Sequence, residues 1–142
     1  MTNASHPFSL PAKLSPEHER VRDYWAGLKR GENKLPFADD VKLSALAGLQ
    51  GRLVLVDVFD KPLRFRFNII GSDISAWYSG DLAGKFVDEI EPKGPLGYFL
   101  AQASATVEAA APTYQQDGFT RLLVPLWGGG YVSALLGSIV RL

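Results

Sequence analysis

Residues 64–86, RFRFNIIGSDISAWYSGDLAGKF, decide the fold of this chain. With Leu63 ahead of them, Phe65, Phe67 and Ile69 alternate with Arg64, Arg66 and Asn68. That two-residue period sends one set to a dry face and the other to a wet one, as in a strand. Gly71 closes the strand, and short helical pieces are predicted over 73–78 and 86–90, divided by Ser79-Gly80-Asp81 and Gly84. Glycines allow the sharp reversals that such an order needs. A strand running directly into short helices predicts a mixed α+β fold.

Upstream, residues 52–59, RLVLVDVF, are apolar on both faces, which predicts a strand inside a sheet. Asp60-Lys61-Pro62 joins it to the alternating strand as a hairpin. Asp39-Asp40 before Val41, Leu43, Leu46 and Leu49 predicts a short second helix ending near residues 48–51. Earlier still, Ser15-Pro16-Glu17 combines a capping hydroxyl, a first-turn proline and an acid at the positive helix end. The helix predicted over 15–31 carries Val21, Tyr24, Trp25 and Leu28 as one apolar stripe and stops at Gly31. The stripe either packs on its own domain or forms a dimer or partner interface. Residues 1–14, with two prolines and no hydrophobic period, read as a loose leader that orders on contact.

Downstream, residues 95–110 are predicted helical, roughly 24 Å long at 1.5 Å per residue, with Leu96, Phe99, Leu100, Ala103 and Val107 on one face. Strands are expected over 112–115, 119–127 and 131–141, joined by Asp117-Gly118 and by Gly128-Gly129-Gly130. The expected architecture is therefore five antiparallel strands with helices on one face and an N-terminal lead helix. It forms a single domain over 15–142, with the lead helix at 15–31 and the core at 35–142.

Composition narrows the function classes. The 142 residues are 46% hydrophobic, enough for one core without cross-links. Lys+Arg and Asp+Glu number 15 each, so no overall positive field draws in nucleic acid or an anionic membrane. The absence of Cys removes disulfides, thiolate metal sites, cysteine nucleophiles and covalent flavin or bilin adducts. No signal-peptide pattern or membrane-length apolar run is seen, so the expected location is cytoplasmic. The sequon Asn3-Ala4-Ser5 is read as chance.

The order Tyr24-Trp25-x-x-Leu28-x-x-Gly31, Leu35-Pro36, Leu53-x-Leu55-x-Asp57, Arg64-Phe65-Arg66-Phe67, Ile70-Gly71-Ser72, Asp81-Leu82-x-Gly84-Lys85, Pro112-x-Tyr114 and Leu122-Leu123-x-Pro125-Leu126 resembles a bacterial family of small stand-alone PAS-like proteins. The resemblance spans about residues 21–140. Asn68 stands where a basic residue is expected, and Phe37-Ala38 replaces a polar and basic continuation. The resemblance implies a five-stranded antiparallel sheet with helices on its inner face, often paired through the N-terminal helix. It implies no particular ligand.

His6 and His18 both precede the sheet and are read as surface residues, which disfavours haem or a metal. Asp88, Glu89 and Glu91 read as a solvated face, and Ser72, Ser75 and Ser79 lack a neighbouring histidine or nucleophile elbow, so no enzymatic activity is expected. Arg64 and Arg66 read as sheet solvation. A mostly apolar cleft between the sheet's inner face and the helices is the expected ligand site, lined by Phe65, Phe67, Trp77, Tyr78, Phe86, Phe99, Gln102 and Leu123. Two functions follow as expectations. One is a non-enzymatic sensor that holds a small apolar or aromatic molecule noncovalently and acts through a separate output protein. The other is an interaction or dimerisation module whose cavity is filled by side chains, with the Val21, Tyr24, Trp25 and Leu28 stripe and the sheet's outer face as contacts.

Overall fold

In the computed structural model, which describes residues 8–142, the alternating stretch is a strand that turns at Gly71 into a short helix. The elements run α1 (Pro16–Gly27), β1 (Leu53–Asp60), β2 (Leu63–Ile70), α2 (Ser72–Tyr78), α3 (Phe99–Ala109), β3 (Thr113–Gln116), β4 (Phe119–Gly128) and β5 (Tyr131–Arg141). The five strands form one antiparallel sheet in the order β2-β1-β5-β4-β3. The fold is therefore α+β. Among the described residues no helix is long and apolar enough to cross a membrane. His6 and the sequon at Asn3 lie outside the described residues.

Gly71 is needed where the strand becomes a helix. Its N–H donates to Leu53 O at 2.8 Å, and a Cβ would overlap the Gly51 carbonyl. Gly137 plays a similar part at the centre of β5, where a Cβ would lie 2.5 Å from a Leu123 methyl and 2.8 Å from a Val54 methyl. Facing side chains from β1 and β4 close over this glycine.

The sheet is covered on both faces, not on one. Paired residues share a face, so Val54, Val56, Val58, Phe65, Phe67, Arg121, Leu123, Leu135 and Gly137 define an inner face that meets α3. Thr120, Leu122, Leu136 and Ser138 lie on the outer face, and there His18 of α1 bonds to Thr120 and Ser138. The sequence pattern predicted helices on one face because it does not say where a lead helix docks.

Three predicted helices are shorter than their patterns. α1 is capped as expected, with Ser15 Oγ accepting from the His18 backbone N–H at 3.5 Å. It ends at Gly27 instead of continuing to 31, its last turn tightening as the Leu28 and Lys29 N–H groups donate to Trp25 O and Ala26 O, and Arg30 beyond it makes two bonds to Asp40 at 2.8 and 2.6 Å. Residues 39–51 form separate 3-10 turns, Ala38–Asp40, Leu43–Leu46 and Gln50–Arg52. The Tyr24 hydroxyl accepts from the Lys42 N–H and donates to the Lys42 carbonyl, which also accepts from the Ala45 N–H in the second 3-10 turn. The third case, residues 95–110, begins with a 3-10 turn, Gly94–Leu96, and enters α3 only at Phe99 through a left-handed Tyr98, φ 60°. Arg121 of β4 has captured the carbonyls of Pro95 and Gly97.

Candidate functional site

Five of the eight expected cleft residues come together on the inner face. Phe65, Phe67, Phe99, Gln102 and Leu123 are all buried, and the Phe67 and Phe99 rings pack with centroids 5.3 Å apart. These side chains fill the space between sheet and α3 with one another. Trp77 and Tyr78 sit to one side on α2. Trp77 is half-buried against Phe119 at 5.6 Å, and the Tyr78 hydroxyl donates to Glu91 O at 2.8 Å. Phe86 lies elsewhere, packed on Phe59 and under the Arg64 guanidinium, both of which face away from Phe65 and Phe67.

Gln102 belongs to a polar network that its position on α3 did not disclose. Its Oε1 accepts from Arg121 Nε at 2.6 Å, and its Nε2 donates to Thr113 Oγ1 and to Arg121 O, each at 3.1 Å. Thr106 Oγ1 lies 2.6 Å from Thr113 Oγ1 and donates to Gln102 O at 2.8 Å. Arg121 Nη1 and Nη2 each donate at 2.8 Å, to Pro95 O and Gly97 O. The guanidinium also lies 4.8 Å over the Phe99 ring. It is 2% exposed, and burial pulls its pKa down to about 9, which leaves it charged at neutral pH. One signal for Arg121 was present in the sequence: it alternates with inward Leu123 in an otherwise apolar strand.

The inner group is dense, but an open cleft lies at the far end of α3. It is lined by Asn33, Lys34, Leu35 and Phe37 before the first 3-10 turn, Ala109 and Ala110 at the end of α3, and Trp127 of β4. The volume is about 500 Å³, within the range of small-molecule sites, which are mostly apolar with few polar groups. Trp127 is 37% exposed, and its backbone N–H donates to Pro36 O at 2.8 Å, tying the two walls together. Ala110 closes α3 in the left-handed region, φ 50°. Leu35-Pro36 was legible as a landmark, but Trp127 was read only as the end of a strand, and nothing in their spacing brings the two together.

The lead-helix stripe is taken up within the chain. Val21 and Trp25 are buried, and Trp25 Nε1 donates to Pro125 O at 2.7 Å. Tyr24 and Leu28 are half-buried at the helix margin. His18, expected on the surface, is fully buried beneath this helix, because it precedes Val21 and Trp25 by three and seven residues and so shares their face.

The outer face over β1 and β2 is more open. Phe59 and Ile69 are 38% and 41% exposed there. Arg66 pairs with Asp57 at 3.0 Å, and Arg64 binds both oxygens of Asp88 at 2.9 and 2.8 Å. The Arg64 bonds hold the Asp88 carboxyl below its usual range. Among the described residues no group of three or more His, Cys, Asp or Glu could hold a metal. Comparison with protein-family models, with curated proteins and with solved structures returned no match.

Proposed function

We propose that this chain is a PAS-like sensory domain of the cytoplasm, without catalytic activity, that holds a small apolar or aromatic molecule and acts through a separate partner protein. The five-stranded order, with the inner helices between β2 and β3, supports the PAS-like part. The observation that carries the ligand is the cleft of about 500 Å³ with Phe37 and Trp127 in its walls. An exposed indole beside a phenyl ring offers flat apolar contact, and Asn33 and Lys34 can meet one polar end.

A thermal-shift screen of small aromatic and aliphatic compounds, followed by native mass measurement, tests the reading. A hit should stabilise the full chain and lose at least tenfold in affinity in Trp127→Ala. Equal affinity in a folded Trp127→Ala protein would remove the cleft from the proposal.

The filled inner face favours a second reading, an interaction or dimerisation module with no ligand. Phe65, Phe67, Phe99 and Leu123 are at most 1% exposed and already supply each other's contacts. Under this reading the partner, including a second copy of the chain, meets the open outer face around Phe59 and Ile69. Phe59→Glu should then abolish assembly, while the compound screen gives no shift.

A further inference from the structure

His18 is fully buried between α1 and the sheet, with Nδ1 2.6 Å from Ser138 Oγ and Nε2 2.8 Å from Thr120 Oγ1. These contacts join residues 120 and 102 positions apart, and the Tyr114 ring meets the imidazole edge-on at 5.9 Å. β4 and β5 thus present hydroxyls to the ring, and β3 presents a phenol ring. The nearby charge on its own helix is Glu17, whose carboxylate is taken by Arg52 at 2.9 Å. A hydroxyl either donates or accepts, so two of them satisfy a neutral imidazole, which has one donor and one acceptor. An imidazolium in the same place is a buried charge with no carboxylate in hydrogen-bond contact, and such a charge is costly.

We propose that His18 is an acid-sensitive latch: its neutral imidazole fastens α1 to the outer face of the sheet, and its protonation releases the lead helix. Release bares Val21 and Trp25, together with Leu122 and Leu136, which share the face of Thr120 and Ser138. The device gives the domain two surfaces for a partner, selected by pH.

Burial lowers the His18 pKa from 6.5 to about 4, which sets the window. A base whose folded pKa is depressed favours the docked state fully above 6.5. That advantage is lost as pH falls and is exhausted near 4. Between these limits the docked-to-released ratio falls about tenfold per pH unit, roughly 300-fold in all.

The full chain, labelled with 15N and carrying His6→Gln so that His18 is the sole imidazole, is titrated from pH 7.5 to 4.5 by NMR. The Trp25 indole and the α1 amides are expected to pass to a released state while the β4 and β5 amides persist. In His18→Gln the helix should stay docked throughout. Helix signals unchanged to pH 4.5, helix and sheet lost together, or the same transition in His18→Gln would each overturn the latch. Should His18→Gln fail to fold, Ser138→Ala weakens the docked state without altering the ring and must move the midpoint to higher pH; an unmoved midpoint also overturns it.

Discussion

The two faces of the sheet each enclose one buried basic side chain with no carboxylate in hydrogen-bond contact, and they treat it in opposite ways. On the inner face, Arg121 donates to three fixed oxygens, Pro95 O, Gly97 O and Gln102 Oε1. Carbonyl oxygens only accept, so that pocket suits a group that only donates. On the outer face, His18 meets two hydroxyls, which can donate or accept and so adapt to whichever tautomer is present. Burial is nearly the same in both places. Burial lowers both pKa values; Arg121 stays charged because a guanidinium starts far above neutral pH, whereas an imidazole starts close to it and becomes neutral.

Removing the inner cation should give the largest effect. Arg121→Met leaves two carbonyls and the Gln102 amide oxygen without their donor, and takes away the cation over Phe99. The expected cost is about 3–5 kcal/mol, measured by urea unfolding at pH 7.5. Arg121→Lys should fall between the variant and the parent, since an ammonium keeps the charge but cannot span three acceptors in a fork. A loss under about 1 kcal/mol in Arg121→Met would mean that the inner face does not depend on the cation.

Much of this contrast was written in the sequence, though unevenly. The strands were legible from different signals: alternation in 63–70, where Phe65 and Phe67 point inward and Arg64 and Arg66 outward, an apolar run in 52–59, and glycine turns between the last strands. His18 was read as a surface residue and Arg121 was passed over, although strand alternation puts Arg121 on the face of Leu123 and the helical period puts His18 on the face of Val21 and Trp25. The partners were not legible. Pro95 O and Gly97 O are backbone atoms, and Ser138 lies 120 positions from His18. Such tertiary captures also explain why residues 39–51 and 95–98 depart from the helix that their patterns allow. Tyr24 binds the Lys42 N–H, and Arg121 takes the Pro95 and Gly97 carbonyls that an uninterrupted helix would use. The Trp127 cleft depends on three distant segments meeting, which no local period encodes.

The pH dependence of stability sharpens the comparison further. His18 titrates near 4 in the docked fold and near 6.5 when exposed, so lowering the pH from 7.5 to 5 should cost about 2 kcal/mol relative to the unfolded chain. Arg121 remains protonated in both states over that interval and contributes no slope. Urea midpoints at the two pH values, compared between the parent and His18→Gln, isolate the histidine's share. A slope that survives in His18→Gln would assign it to other groups and erase the distinction between the faces.

The smallest effect is expected from Ser138→Ala at pH 7.5. It removes the closer of the two hydroxyls and leaves Nδ1 of a buried imidazole without a partner, while Thr120 still holds Nε2. The ring can change tautomer to suit Thr120 alone, so the cost should be about 1 kcal/mol, far below that of removing Arg121. Adaptable hydroxyls make each partner partly dispensable, whereas the carbonyls around Arg121 have no second donor to turn to. If Ser138→Ala instead costs as much as Arg121→Met, the hydroxyls are acting as fixed acceptors, and His18 belongs to the same class of site as the arginine.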